Sequence, residues 1–239
     1  MTDLRELPPT LIERMASHLR WKLLLLAALP VVFTIGYAGV QRLSPFQPTP
    51  MPETAIDRWV GFASWWVWPY LSLYLYLPIA PWLSVRKCSL VRYTLGLVVI
   101  STAAFSIFFF LPTSAPREHL LGEVAINRAY ELLLAIDLPM NACPSLHAAM
   151  VVYSLMVAWV VLSDPIDRKL RRVIVLGGAA WMIAILLGTL GTKQHRALDL
   201  FAGSALAVCG YFIAWRSRLP TSLIAASPDN PSPSIEVQT

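Results

Sequence analysis

Six stretches of the chain run without Asp, Glu, Lys or Arg: 23–41, 59–85, 93–116, 138–163, 173–192 and 200–215. A helix that crosses a bilayer needs about 20 mostly apolar residues. Five of the stretches reach that length, and the sixth does so if its helix starts at His195. The pattern predicts an all-α, polytopic membrane protein built as a six-transmembrane-helix bundle, with spans at about 22–41, 61–83, 91–111, 145–163, 172–191 and 195–216. Between the third and fourth spans, segment 118–136 sets Leu120, Leu121, Val124, Leu132 and Leu133 against Glu118, Glu123, Asn127, Arg128 and Glu131. That alternation predicts a short interfacial helix in the third loop.

The ends read differently. In segment 1–21, Leu11, Ile12, Met15 and Leu19 share one helical face opposite Glu13, Arg14 and Arg20. This predicts an amphipathic helix lying on the cytoplasmic membrane surface. Residues 22–216 then form one membrane domain. Segment 217–239 is rich in Ser and Pro and is expected to be disordered. The first apolar run is too long and too far from Met1 for a signal peptide, so it is expected to be a retained span. Pro69, Pro78 and Pro81 should kink the second span.

Composition agrees with the pattern. Of 239 residues, 56% are hydrophobic and 14% charged, where a soluble domain carries roughly a quarter charged. Mean hydropathy is +0.59. A net charge of +5 would suit a nucleic-acid partner, but in a membrane protein basic loops mainly set orientation. No nucleic acid is expected. The three cysteines have no metal-knuckle or disulfide spacing.

Sorting the cations by loop sets the topology. The two tails and loops two and four hold 13 Lys and Arg against 6 in loops one, three and five. The positive-inside rule places both termini in the cytoplasm and the odd loops outside, in a cell membrane.

The chemistry concentrates in two places. His147 follows Cys143-Pro144-Ser145-Leu146 at the start of the fourth span, and His195 and Asp199 open the sixth. Both helices start on the outer side, which sets the three side chains at one depth. His195 and Asp199 are four apart and share a helix face, so the carboxylate is expected to hold one imidazole nitrogen as N–H and leave the other as a lone pair. His147 across the cleft is placed to donate a proton. Pro144 suits a first helical turn, which predicts that the amides of Ser145, Leu146 and His147 face the same pocket and bind an anion there. Arg117, Lys193 and Arg196 supply cations at that depth. These residues also admit a zinc site or a proton relay in a transporter, although relays usually sit near the midplane of repeat-built folds and this chain shows no repeat.

Pro144-Ser145-Leu146-His147, followed by Thr192-Lys193-Gln194-His195 and Asp199, resembles the type-2 phosphatidic acid phosphatase superfamily. The branch it looks most like contains the inositol phosphorylceramide synthases and related membrane phosphatases. Leu111-Pro112-Thr113-Ser114-Ala115-Pro116-Arg117 is similar to the first motif of that branch. The resemblance spans about 110 residues, from the third span to the sixth. It implies a six-helix bundle, no cofactor, a metal-free site and reaction through a phosphohistidine. By the same resemblance His195 is the nucleophile, Asp199 orients it, and His147 is the general acid. Arg117, Ser145, Lys193, Arg196 and Arg128 would bind phosphate. Phe110 stands where the broader family has Lys, and Gly188 and Thr189 where it has Ser-Arg; Lys193 or Arg128 is expected to substitute for the missing cations.

The expected function is therefore a lipid phosphate phosphatase at the outer membrane face, with a lipid phosphate as substrate and the bilayer as its setting. Two alternatives stay open: a phosphotransferase that passes a phospho-headgroup to an alcohol, and a small-solute or proton-coupled transporter.

Overall fold

The computed structural model describes residues 9–115, 128–164 and 166–217. Arg117, His119 and the first part of the expected third-loop helix lie outside the described residues, as does the tail beyond Ser217. The chain is mostly helical. Helix α1 (Leu11–Ala16) leads into α2 (Leu19–Leu43), a two-residue strand β1 (Thr49–Pro50) and α3 (Ala55–Trp59). A single 3-10 turn (Ser64–Trp66) opens a run of short helices, α4 (Val67–Leu71), α5 (Leu73–Tyr76) and α6 (Ile79–Leu83). Then come α7 (Lys87–Phe110), β2 (Thr113–Ser114), α8 (Arg128–Ile136), α9 (Leu146–Val161), α10 (Arg168–Gly191) and α11 (Ala197–Arg216).

Four of these helices, α2, α7, α10 and α11, are long and apolar enough to cross a membrane. Helix α9 is apolar but has 16 residues, a rise of about 24 Å. The second apolar stretch is not one helix, and its prolines explain why. Pro69 and Pro81 each occupy the third position of their helix, and Pro78 is the N-cap of α6. In a first turn the backbone N–H has no intrahelical acceptor, so proline costs no hydrogen bond there. It cannot, however, continue a helix from upstream.

Helices α7, α9 and α11 enclose the main core, built on Tyr93, Ile100, Phe108, Tyr153, Val157 and Ala207. Small residues set how closely these helices approach. A Cβ on Gly96 would lie 2.0 Å from the Tyr153 hydroxyl, which donates to the Arg92 carbonyl at 2.9 Å. A Cβ on Gly203 would lie 2.2 Å from the Ser145 carbonyl oxygen, so α11 meets the start of α9 backbone to backbone. Helix α2 lies outside this core and leans on α7 through Phe33, Tyr37, Phe105 and Phe108.

Helix α1 keeps its apolar residues outward, with Ile12 and Met15 79% and 48% exposed, while Arg14 is fully buried. The Arg14 guanidinium donates to the carbonyls of Leu83 at 3.2 Å, Val161 at 3.4 Å and Asp164 at 3.3 Å. Leu83 and Val161 end α6 and α9, where helices leave carbonyls without intrahelical donors. Lys22, also buried, donates to the Arg14 and Trp82 carbonyls. The polar face is what docks, because a guanidinium carries five donors and the helix ends present the acceptors.

Gly96→Ala should lower stability by about 1–3 kcal/mol through overpacking, measured as a fall in unfolding temperature in detergent. Gly39→Ala, where a Cβ meets nothing within 4 Å, should instead be neutral or gain up to about 1 kcal/mol from restricting the unfolded chain.

Candidate functional site

Three chain segments that are remote in sequence converge where α9 and α11 begin. The parallel pair β1–β2 aligns Thr49 with Thr113 and Pro50 with Ser114. Thr113 then reaches the third segment: its carbonyl accepts from the Ala142 amide at 3.2 Å, and its hydroxyl oxygen accepts from the Cys143 amide at 2.7 Å. Residues 111–115 therefore support the loop that precedes α9. Arg117, which follows them, lies outside the described residues.

Helix α9 starts at Leu146 with Ser145 as its N-cap, and the Ser145 hydroxyl oxygen accepts from the Ala148 amide at 3.3 Å. Pro144 therefore precedes the cap and is not in the first turn. The Ser145 amide, expected to face an anion, instead donates to the Asp199 carbonyl at 2.9 Å. That bond joins the starts of α9 and α11. The amides of Leu146 and His147 remain as first-turn donors without intrahelical acceptors.

The two histidines come together. Their ring centroids are 5.4 Å apart at an interplanar angle of 61°, and His195 Nε2 lies 3.4 Å from His147 Nδ1. His195 is 8% exposed. Tyr70 covers the other side of His147, with centroids 4.4 Å apart. A phosphoryl group does not fit in a 3.4 Å gap, so the rings must part if one is to bind between them.

The expected hydrogen bond from His195 to Asp199 is replaced by another. His195 Nδ1 is 2.9 Å from the Ala142 carbonyl oxygen and 3.7 Å from Asp199 Oδ2. A carbonyl only accepts, so Nδ1 carries the proton and Nε2 presents the lone pair towards His147. The Asp199 carboxylate is fully buried, and its Oδ2 accepts from the Arg196 amide at 2.7 Å, which caps α11. It lies beside the imidazole as a negative charge and is not its hydrogen-bond acceptor. The partner that meets Nδ1 is thus the Ala142 carbonyl, where the sequence suggested Asp199.

The cations divide. Lys193 is 6% exposed and donates to the Asp57 and Val60 carbonyls at 2.7 and 2.6 Å. Burial, followed by the charge of Arg196, lowers its pKa, while Asp57 and Glu53 act in the opposite direction. Arg196 is 5% exposed, and its guanidinium pairs with Glu53 at 3.3 Å. Both cations thus hold the first loop to the fifth. Arg128 is exposed at the start of α8, the helix that Tyr130 ties to this loop by donating to the Thr192 carbonyl at 2.7 Å.

Several residues of the site were not singled out from sequence. Asp57 is 1% exposed; its Oδ1 accepts from the Ala197 amide at 2.8 Å and its Oδ2 from the Thr54 amide at 2.7 Å. Thr54-x-x-Asp57 is a capping-box pattern, so the start of α3 was readable, though not its second bond to α11. Asn141 and Gln194, 2% and 3% exposed, flank the site, and neither polar atom of either amide meets a protein hydrogen-bond partner. The same holds for Arg196 Nε and Asp199 Oδ1. Each such buried group costs about 1–3 kcal/mol if left unpaired, and buried groups of this kind ordinarily have a partner. Among the described residues, no group of three or more His, Cys, Asp or Glu is arranged to hold a metal ion.

No protein-family model, curated protein or solved structure matches this chain.

Cys143 reports on this environment. Burial, and secondarily the Asp199 carboxylate, push its thiol up to about 11. Only the thiolate reacts, so maleimide labelling at Cys143 in a Cys88→Ser, Cys209→Ser protein should still rise about tenfold per pH unit from 7 to 9. Asp199→Asn should speed labelling at each pH. A rate that levels off below pH 9 contradicts this reading of the loop.

Proposed function

We propose that this protein is an integral-membrane lipid phosphate phosphatase that works through a phosphohistidine. One observation carries the reading: two histidines 48 residues apart in sequence meet at 3.4 Å, one with its Nδ1–H held by a backbone carbonyl. That geometry supports a nucleophilic lone pair on His195 Nε2 facing a second imidazole. The resemblance of the segments around His147 and His195 to the type-2 phosphatidic acid phosphatase superfamily supports the same roles.

In this reading a lipid phosphate enters as the two rings part. His195 Nε2 attacks phosphorus, the bond to the lipid oxygen breaks, and protonated His147 gives its proton to the leaving alkoxide. General acid catalysis of this kind contributes about 10²–10⁴-fold. Asp199 stabilises the charge that develops on His195 as its lone pair is committed. The Ser145 hydroxyl and the first-turn amides of α9 are the donors for the phosphoryl oxygens, the role fixed dipoles play where charge builds up. Arg117 is proposed as the cation of the site. Lys193 and Arg196 act on the phosphate through the loop they hold, and Arg128 stands at its margin.

The proposed setting is a six-span bundle. The broken segment 64–83 and α9 supply the two crossings beyond the four long helices, α8 lies at the outer interface, and both termini are cytoplasmic. Several structural features support this arrangement. The site sits at the ends of α9 and α11 where loops one, three and five meet, and Arg14 and Lys22 lie at the opposite end of the bundle.

His195→Ala and His147→Ala should each leave a protein that folds in detergent. His195→Ala should give no labelled phosphoenzyme from a radiolabelled lipid phosphate, and His147→Ala should lower turnover by about 10²–10⁴-fold. Turnover retained by His195→Ala would sink the mechanism. Orientation is checked with single cysteines introduced at Gln47 and Lys169, both exposed, in a chain freed of its own three. An impermeant thiol reagent should label the first and not the second in intact cells.

A further inference from the structure

Asn141 and Gln194 have been given no role so far, yet both are more than nine-tenths buried and both leave their amide oxygen and nitrogen without a protein partner. Their places in the chain are specific. Asn141 immediately precedes Ala142, whose carbonyl holds His195 Nδ1, and Gln194 immediately precedes His195 itself. Asn141 has a φ of 60° and Lys193, just before Gln194, a φ of 56°. Side chains other than glycine rarely adopt this left-handed conformation, and where they do a functional constraint is a common reason. The left-handed backbone thus falls at Asn141 and at the residue before Gln194, one on each segment that meets at His195 Nδ1.

The chemistry of an amide narrows what can meet these groups. Each presents an acceptor oxygen and two N–H donors. A phosphoryl oxygen only accepts, so it would satisfy the N–H groups and leave both amide oxygens unpaired. An apolar lipid chain would satisfy neither. A hydroxyl group or water both donates and accepts and so pairs with either end. Because both atoms of both amides are uncommitted, this holds whichever way round each amide is assigned.

We infer that Asn141 and Gln194 form the subsite for the hydroxyl group that discharges the phosphohistidine, water in hydrolysis or an alcohol in transfer. This rests on the phosphohistidine reading given above. In the discharge step the acceptor oxygen forms a bond to phosphorus and the bond from phosphorus to His195 Nε2 breaks, its electron pair returning to that nitrogen. The acceptor's proton passes to His147, which lost one in the first step. The amide N–H groups donate to the acceptor oxygen, and an amide carbonyl accepts a hydrogen bond from its remaining O–H when the acceptor is water. The first step has no hydroxyl nucleophile, so the two amides matter to the second step and not to the first.

The experiment separates the two steps. Rapid mixing of the full-length protein in detergent with a radiolabelled short-chain lipid phosphate measures formation of labelled His195, and a chase with unlabelled substrate measures its discharge. Asn141→Gly removes the amide and suits a φ of 60°; Gln194→Met removes the other at similar volume. Each variant should form labelled enzyme within twofold of the parent rate and discharge it at least tenfold more slowly, so that label accumulates. Discharge within twofold of the parent, or both steps falling by the same factor, overturns the proposal. The milder Gln194→Asn keeps an amide but withdraws it by one methylene. In it the partition of phosphoryl between water and added glycerol should shift at least threefold towards glycerol, and an unchanged partition also counts against the subsite. If the parent itself never carries label on His195, the phosphohistidine reading fails and this proposal with it; label that forms normally and discharges normally in the variants overturns the subsite alone.

Discussion

The site depends on a backbone contact between the starts of α9 and α11. Gly203 leaves the Ser145 carbonyl so close that even a Cβ would overlap it, and the Ser145 amide donates to the Asp199 carbonyl. With those two backbones locked, the segment ending at Ala142 is brought against the imidazole of His195 and His147 against its far nitrogen. Neither histidine could set this geometry alone, because a side chain at the start of a free helix samples several rotamers. The carbonyl of Ala142 removes that freedom at one end of the ring and the packing of Tyr70 on His147 restricts the other.

A second regularity concerns the scarce cations. Arg14, Lys22 and Lys193 are buried, and each donates mainly to backbone carbonyls. Those carbonyls belong to helix ends: Leu83 and Val161 close α6 and α9, and Val60 caps α3. A helix C-terminus carries unpaired oxygens and a partial negative charge, and inside an apolar bundle water is not at hand to meet them. A lysine or arginine brought from another segment does so and ties two elements together at once. Arg196, also buried, pairs with a carboxylate instead, and its partner Glu53 is partly exposed.

This explains what the sequence made legible. Helix positions followed from charge-free stretches because exclusion of charge from apolar surroundings acts on every residue. The pairing of His147 with His195 followed from depth, since two helices starting on the same side bring their first turns level. Backbone partners have no such signature. The Ala142 carbonyl, the Asp199 carbonyl that receives the Ser145 amide and the helix-end oxygens around Arg14 belong to no residue type, so the sequence suggested Asp199 as the acceptor for His195 and gave no sign of the carbonyls that Arg14 meets. The prolines were expected to kink the second span, and the structure divides that stretch into short helices, with Pro69 and Pro81 in a first turn and Pro78 as an N-cap.

The charge balance of the site bears on its chemistry. The described residues around the two imidazoles include a buried carboxylate at Asp199, while the nearby cations Lys193 and Arg196 are engaged with the first loop. In the proposed reaction a phosphate dianion entering such a place would rely on hydrogen-bond donors more than on net charge, among them the Ser145 hydroxyl and the first-turn amides of α9. Fixed dipoles of this sort hold an anion without the desolvation cost of burying further ions. The resembled family carries Lys at the position of Phe110 and Ser-Arg at those of Gly188 and Thr189. Gly188 instead packs against the Tyr70 backbone, which seats the ring that covers His147. A position that would lie beside a charged residue in the resembled family here serves the packing of Tyr70 on His147.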